Sequence, residues 1–425
     1  MSADFGSHVS VPDYEKIPDD PEQAALKAEK RKPKQKLLGI HRYGGKLLYM
    51  WYGMRFGTLM KLFARGRFDF TTNCIPDVLT LVLWCPINTP LYLLSELIYR
   101  RRIKNVKLDK EPVFVIGHWR TGTTFLHDLL ASDPNTAYPT TYECFFPHHF
   151  LITERTLSRI MKVLLPKKRP QDDVPVGFDR PQEEEFGVIM MGQGSPLNTM
   201  AWPRHGPVDS DYVDFEGVPE KKRKAWFDAY LWFYKRLMVR HDKPLILKSP
   251  ANSARVRYLL ERFPNARFIY ITRNPLDVYP STVKLWRALY STQGLHNPPY
   301  VSGWLDDYVL DMMQRLTDRY QADRHLIPEQ NLYEIRYEDL VKDPIGRLSE
   351  MYDKLRIGDF SQAEPKMRAL LDARSEHQTS QYELPADIKA RILERMGPHM
   401  ERYGYLDQPG QAAPQQPAAE TEQPA

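Results

Sequence analysis

A chain of 425 residues, 42% of them hydrophobic and 12% aromatic, is long enough for one large α/β core with appendages or for two small domains. Its three cysteines, Cys74, Cys85 and Cys144, have no paired or CxxC spacing, which argues against a disulfide framework and a cysteine-based zinc site. A reducing, cytoplasmic setting fits this composition. The net charge of +5 alone does not distinguish an anionic ligand from a membrane surface.

Both ends of the chain are polar. Residues 1–36 contain prolines and a cluster of lysine and arginine near their end, which predicts a disordered basic arm. They lack the basic tip and apolar run of a signal peptide, so export by that route is not expected. Residues 408–425 consist mainly of Pro, Gln, Ala and Glu and are predicted to form a disordered tail.

Residues 37–107 are predicted to be a helical extension that mixes aromatic and basic side chains. Its first part is typical of a basic amphipathic helix at a membrane surface. The apolar stretch 78–99 follows, interrupted by Pro86 and Pro90 and followed by three arginines. Three hypotheses stay open for this stretch: a membrane span of about 20 residues, shallow interfacial insertion, or packing on the protein core.

Residues 108–407 alternate short apolar runs with helical periods, a pattern typical of a parallel sheet covered by helices. Strands are predicted at 113–117, 245–248, 268–272 and 332–336. We therefore expect an α/β fold, namely a P-loop-like three-layer αβα domain with a central parallel sheet.

The first predicted strand leads through a loop with Gly117 and Gly122 into a helix that begins near Thr123. Glycines let the backbone turn around an anion, and the free N–H groups at a helix start point toward it. Thr123 and Thr124 add hydroxyl donors, and Arg120 supplies a guanidinium for phosphate or sulfate oxygens. Thr123 stands where a nucleotide-triphosphate P-loop has lysine, which disfavours a metal-assisted ATPase.

A second anion site is predicted in residues 268–281, where a strand delivers Arg273 and the following helix presents Ser281. Together with the loop, this segment resembles the two signatures of the sulfotransferase superfamily that uses 3′-phosphoadenosine 5′-phosphosulfate (PAPS). The Arg-Tyr-Glu-x-Leu stretch in 333–340 is also similar to that superfamily. Residues 247–250, ahead of 262–266, resemble the bacterial branch related to protein-tyrosine sulfotransferases. The resemblance covers residues 111–360.

This resemblance implies roles for individual residues. The 5′-phosphosulfate would lie against Arg120, Thr121, Gly122, Thr123 and Thr124. The 3′-phosphate would lie against Arg273 and Ser281, with Tyr337 near the nucleotide. Lys248 matches a family lysine that reaches the bridge between phosphate and sulfate. PAPS is the expected co-substrate, and no metal is expected.

Sulfuryl transfer needs cations that neutralise charge on the leaving group, a role that fits Arg120 and Lys248. It also needs a general base for the acceptor hydroxyl. Small-molecule sulfotransferases have a catalytic histidine two residues after the strand lysine, whereas this chain has Pro250 there. The base must therefore come from elsewhere.

Several side chains are candidates for this base, and we predict that Glu143 serves. Glu143 lies about two residues from the position of the base glutamate in the tyrosine-sulfating branch. Glu183 and Glu185 match a Pro-Glu-Glu-x-Glu helix start of bacterial members, although acids at a helix start also complement the helix dipole. His118 and His205 are further alternatives. His148 and His149, close to Cys144, are interpreted as packing because no second ligand pair is visible.

Two other functions compete with sulfuryl transfer. A P-loop nucleotide kinase would require a loop lysine and a strand-end aspartate for Mg²⁺, and the predicted strands end in other residues. A membrane-docked nucleotide-binding protein without catalysis would keep the donor pocket, but retention of both Arg120 and Lys248 favours turnover. The acceptor hydroxyl is left open among a small molecule, a glycan and a lipid. No nucleic-acid partner is expected, and the predicted location is cytoplasmic, with peripheral contact to the inner face of the membrane.

Overall fold

The computed structural model describes residues 49–161, 177–297, 304–373 and 384–406. The predicted arm 1–36, the first part of the extension and the predicted tail 408–425 lie outside the described residues.

A parallel sheet of four strands forms the centre of the domain, in the order β2-β1-β3-β4. The strands are β1 (Val113–Ile116), β2 (Ile246–Lys248), β3 (Arg267–Thr272) and β4 (Leu332–Arg336), which confirms all four predicted positions. The chain leaves β1 toward β2 on one side and leaves β3 toward β4 on the other. In such sheets the ligand crevice opens outside the carboxyl ends of the two strands where the direction reverses, here β1 and β3.

Helices surround this sheet and form the N-terminal extension. The helices of the extension are α1 (Phe56–Arg65) and α2 (Ile75–Lys104). The first helices of the domain are α3 (Thr123–Ala131), α4 (Thr141–Phe145), α5 (Phe150–Met161), α6 (Glu184–Met190), α7 (Glu220–His241) and α8 (Val256–Leu260). The later helices are α9 (Pro275–Gln293), α10 (Leu305–Asp323), α11 (Tyr337–Lys342), α12 (Pro344–Leu355), α13 (Phe360–Asp372) and α14 (Ala386–Arg402).

Both faces of the sheet are covered. Alternate residues of a strand point to opposite faces, so Val113 and Val115 pack in one apolar core with Leu126 of α3. Phe114 and Ile116 pack in a second core that includes aromatic residues of α7. The three-layer αβα architecture expected from the sequence is therefore confirmed.

The described part of the extension packs against the domain. Trp51 is fully buried, and its indole N–H donates to the carbonyl of Gln293 at the end of α9, at 2.8 Å. In α2, the Ser95 hydroxyl and the Glu96 carboxylate accept from the guanidinium of Arg236 in α7, at 2.5 and 3.0 Å. Because these contacts hold the helix on the protein, α2 has one face that is part of the core.

The helix α2 continues through Pro86 and Pro90, which both lie on its exposed side. With the turn before it, the segment Thr72–Lys104 is long and apolar enough to cross a membrane by length and composition. The same test is passed by core helices of soluble proteins, so length and composition do not choose among the three hypotheses for this stretch.

Candidate active site

The loop between β1 and α3 requires glycine at both ends. Gly117 and Gly122 have φ angles of 145° and 96°, which side chains other than glycine rarely adopt. A Cβ atom at Gly117 would lie 2.2 Å from the carbonyl oxygen of Ile271, and one at Gly122 would lie 2.4 Å from the ring of Tyr337. The glycines thus let the loop pack against β3 and the start of α11.

Inside the loop, Arg120 also adopts a left-handed conformation, with φ of 71°. Such a backbone costs about 1–3 kcal/mol and persists where surrounding contacts impose it. One of these contacts is the hydrogen bond from Arg120 Nε to Ser281 Oγ on α9, at 2.8 Å. The Thr121 hydroxyl donates to the carbonyl of His118 at 2.7 Å, which closes the turn. The loop is therefore fixed in shape, with its arginine directed toward α9.

Arg273 lies at the carboxyl end of β3, beside the same loop. Its guanidinium stands over the ring of Tyr337, 4.7 Å from the ring centroid, and its side chain is 14% exposed. The carboxylate of Asp277 is 3.8 Å away, too far for a hydrogen bond. Since Tyr337 also touches Gly122, one aromatic ring connects the loop with Arg273. The structure thus brings together residues that the sequence predicted at two separate anion sites.

Lys248 ends β2, the strand on the other side of β1. Its side chain is 4% exposed, and Nζ lies 2.6 Å from a carboxylate oxygen of Glu183. The neighbouring Glu184 accepts from the backbone N–H of Lys248 at 3.0 Å and from the amide of Asn252 at 2.6 Å. Burial raises the pKa of Glu184 to about 7. An acid cluster at the start of α6 therefore holds the strand lysine.

The other predicted acids have different partners. Glu143 is fully buried; one carboxylate oxygen accepts from the N–H of Thr140 at 2.7 Å, and the other lies 2.8 Å from His241. The Thr140 hydroxyl accepts in turn from the N–H of Glu143, which completes a capping box at the start of α4. Glu185 forms a buried two-point ion pair with Arg255 at 2.6 and 3.0 Å. Glu143 and Glu185 thus have partners outside the predicted site cations, whereas Glu183 contacts Lys248.

The structure also shows the surroundings of the histidines that the sequence analysis considered. Burial lowers the pKa of His118 to about 4, so its imidazole is neutral. His205 lies beside Asp69 of the extension, with Nε2 3.1 Å from a carboxylate oxygen. His149 is hydrogen-bonded to Asn88 and His148 lies against aromatic rings, contacts that agree with their interpretation as packing residues.

Two residues of this region were not singled out from the sequence. Ser253 accepts from the N–H of Gly117 at 2.8 Å and so anchors the start of the loop. Glu184 organises Lys248 and Asn252 from within a run of three glutamates. The run itself was a signal for Glu184, because adjacent helix positions point about 100° apart and some of them must face the protein. Ser253 had no local signal, since its partner is 136 residues away.

Comparison with known proteins agrees with this geometry. The model of the Sulfotransferase family matches residues 112–362. The omega-hydroxy-beta-dihydromenaquinone-9 sulfotransferases Stf3 of Mycobacterium bovis and Mycobacterium tuberculosis are each 36% identical over 356 residues, which cover 84% of this chain and 91% of the relative.

Solved structures show the same fold. The sulfotransferase STF1 from Mycobacterium tuberculosis has a TM-score of 0.57 at 17% identity, covering 84% of this chain and 96% of the other. STF9 from Mycobacterium avium has a TM-score of 0.58 at 19% identity, covering 77% and 86%. The kinase hypothesis is thereby set aside. The chain belongs to the sulfotransferase family, and it is an enzyme that transfers a sulfuryl group.

Proposed function

We propose that this enzyme takes the sulfuryl group from PAPS and transfers it to a hydroxyl group of a membrane lipid. The observation that carries the donor assignment is the hydrogen bond between Arg120 and Ser281. It joins the predicted 5′-phosphosulfate loop and the predicted 3′-phosphate helix, 161 residues apart in the chain, at the carboxyl ends of β1 and β3. A ligand with two separate anionic groups fits such a site.

In this proposal the loop and the start of α3 bind the 5′-phosphosulfate. Free backbone N–H groups at the helix start favour an anion, as do the hydroxyls of Thr123 and Thr124. Arg273 and Ser281 bind the 3′-phosphate. The guanidinium of Arg273 is held over Tyr337, so little rotational freedom is lost when it meets the phosphate.

The reaction forms a bond between the acceptor oxygen and sulfur and breaks the bond from sulfur to the bridging oxygen of PAPS. Arg120 and Lys248 stabilise the negative charge that develops on that oxygen. The acceptor proton passes to a base, for which we propose Glu183 in place of Glu143, because the carboxylate of Glu143 is fully buried. Its carboxylate touches Lys248 Nζ and is 13% exposed, so it is close to the leaving group and accessible to an acceptor. Adenosine 3′,5′-bisphosphate is the second product.

A lipid acceptor is supported by similarity to Stf3. The name of that enzyme specifies an omega-hydroxylated menaquinone, and this chain covers 91% of its length at 36% identity. We therefore propose a terminal hydroxyl on a long apolar chain as the group that is sulfated here.

The exposed face of α2 supports contact with a membrane. Eight large apolar residues of this helix are exposed: Ile75, Leu79, Leu83, Ile87, Leu93, Leu94, Leu97 and Ile98. At 100° per residue they fall within an arc of about 140°, opposite the positions that pack on the protein. No exposed residue from 75 to 98 in this fully described helix is charged, and three exposed arginines follow at 100–102.

This pattern is typical of a helix that lies in the membrane interface, with cations at the lipid headgroups. A helix with one face in the protein core does not cross a bilayer without moving that core. Among the three hypotheses for this segment we therefore favour interfacial insertion, from the cytoplasmic side. The enzyme would meet its lipid acceptor there.

A transfer assay tests the proposed function. Purified enzyme is incubated with PAPS and, in separate reactions, with the lipid extract and the water-soluble extract of its own cells, and the products are analysed by mass spectrometry. We expect a lipid species that gains one sulfuryl group with wild-type enzyme and does not gain it with Lys248→Ala. Sulfation confined to the water-soluble fraction would refute the lipid acceptor and leave the donor assignment intact.

A sedimentation assay tests the membrane contact. The paired substitution Leu83→Glu and Leu97→Glu places charge on positions that are 76% and 83% exposed, so folding should be preserved. We expect wild type to co-sediment with anionic liposomes and the double variant to remain in the supernatant. Leu326→Glu, an exposed apolar position outside α2, is the matched control and should bind like wild type. Equal sedimentation of all three proteins would contradict the proposal.

A further inference from the structure

A cluster of three ligand-type side chains lies where the extension meets the domain. Asp69 follows α1 in the extension, whereas His205 and His296 belong to the region matched by the family model. Nε2 of His205 is 3.1 Å and Nε2 of His296 is 4.0 Å from the same carboxylate oxygen of Asp69. One ligand atom from each of the three residues lies within 4.8 Å of the others.

The side chain of His296 is fully buried and lacks regular partners. Among the residues that the structure describes, neither of its ring nitrogens has a hydrogen-bond partner. The backbone of Asn297 approaches the ring, but outside regular hydrogen-bond geometry. Buried polar groups in proteins are nearly always satisfied, and an exception calls for an explanation such as an ion. The free nitrogen next to Asp69 is therefore an independent sign of a ligand.

We propose that Asp69, His205 and His296 bind a divalent transition-metal ion, with Zn²⁺ as the best fit. Ligand atoms about 2.0–2.1 Å from a tetrahedral zinc ion are about 3.4 Å apart, and the two distances to Asp69 lie on either side of this value. Two imidazoles with one carboxylate suit zinc better than Mg²⁺ or Ca²⁺, which prefer oxygen ligands. The side chains of His205 and Asp69 are 29% and 42% exposed, so water can complete the coordination.

The surroundings hold the two imidazoles in place. The ring of His205 lies parallel to the Trp202 indole, at 9° with centroids 5.9 Å apart, and His296 meets the same indole at 5.4 Å. Such packing orients metal ligands before the ion arrives. The Trp202 indole thus packs against both histidines and fixes the orientation of two of the three proposed ligands.

The ion would attach the extension to the domain. The loops that carry Asp69 and His296 are already joined by hydrogen bonds from Asn73 to Asn297 and from the Asn297 N–H to Thr71. A metal bridge between them would fix the membrane-facing extension relative to the domain. This proposal does not depend on the donor or the acceptor, and it assigns the ion no part in sulfuryl transfer.

Metal content and stability test the site in the untagged full-length protein. After treatment with a chelator, the protein is dialysed against micromolar Zn²⁺, and bound zinc is measured by mass spectrometry. We expect about one zinc per chain, a visible absorption band when Co²⁺ replaces Zn²⁺, and a higher Tm in the presence of zinc. His205→Ala should weaken zinc binding by more than about 100-fold and abolish the Tm shift.

His325→Ala, at an exposed position in another part of the domain, is the matched control and should bind zinc like wild type. Asp69→Asn, which changes the ligand in the extension, should also weaken zinc binding. Equal zinc content in wild type and His205→Ala would show that zinc binds elsewhere and would overturn the proposal. Absence of zinc binding by wild type at micromolar concentration would overturn it as well.

Discussion

Replacement of Arg273 by alanine is the most direct test of the 3′-phosphate site. Its guanidinium is mostly buried, stands over Tyr337 and lies 3.8 Å from the carboxylate of Asp277, beyond hydrogen-bond distance, so its N–H groups can donate to the proposed 3′-phosphate. A charge-assisted hydrogen bond in such a place contributes about 2–3 kcal/mol. At 1.4 kcal/mol per tenfold change, adenosine 3′,5′-bisphosphate should bind about 30- to 150-fold more weakly to Arg273→Ala.

Calorimetry with two nucleotides separates this effect from general damage. AMP lacks the 3′-phosphate, so its affinity should change less than about twofold in Arg273→Ala, while the bisphosphate loses affinity. Arg273→Lys keeps the charge but loses the planar guanidinium over Tyr337, and an intermediate loss of about tenfold is expected. If wild type binds AMP and the bisphosphate equally, the 3′-site is wrongly placed. If Arg273→Ala loses affinity for both nucleotides to the same extent, the residue acts on the fold instead.

Further substitutions test the acids and the loop. Glu183→Gln should lower kcat by about two to four orders of magnitude with donor affinity retained. Glu143→Gln should mainly lower Tm. If Glu143→Gln instead loses turnover without losing stability, Glu143 is the base. Burial raises the pKa of Glu184 from its ordinary 4.5 to about 7, so between these pH values the folded state binds more protons than the unfolded state. The free energy of unfolding should therefore fall by about 3 kcal/mol as the pH rises from 4.5 to above 7. The free energy of unfolding, measured with denaturant, should decrease with pH in wild type and decrease less in Glu184→Gln. An equal pH dependence in both proteins would refute the raised pKa of Glu184. Gly122→Ala should cost about 1–3 kcal/mol in stability and weaken the bisphosphate, because its Cβ would meet Tyr337; an unchanged Tm and affinity would contradict this.

The strands and the loop could be predicted because their signals are local. Apolar runs bounded by polar residues located all four strands, and the spacing of Gly117 and Gly122 located the loop between β1 and α3. The contact between Arg120 and Ser281 was not visible, since it depends on the strand order that places β3 beside β1. The strand order therefore explains why the two predicted anion motifs lie together, which the sequence alone did not show.

The acids show where sequence reasoning was incomplete. Thr140 and Glu143 have the S/T-x-x-E spacing of a capping box, a local signal for the hydrogen bonds that Glu143 makes at the start of α4. Glu183, Glu184 and Glu185 are adjacent in sequence, yet Glu183 accepts from the side chain of Lys248, Glu184 from its backbone N–H, and Glu185 pairs with Arg255. Their separate roles depend on long-range contacts that no local pattern encodes.

The helix α2 was ambiguous for a different physical reason. It is apolar on two opposite sides, one that packs on the protein and one that is exposed, so no amphipathic pattern appears along it. A membrane span has the same uniform apolar composition. Contacts such as those of Asn88 with Tyr52 and Met54 identify the packed side, and the exposed side follows from them.

The extension and the proposed donor site are connected through α9. This helix of 19 residues begins just after Arg273, carries Ser281 in its second turn and ends at Gln293, which accepts from the indole of Trp51. Trp51 and Leu81 of the extension share one apolar core with residues of α9 and α10. Because one continuous helix joins both regions, a lipid surface that binds the exposed side of α2, as proposed, would also set the orientation of the proposed donor site relative to that surface. Such a connection suits the proposed lipid acceptor, because a lipid is confined to the membrane plane and its hydroxyl would reach the sulfuryl group only at a limited set of orientations of the protein.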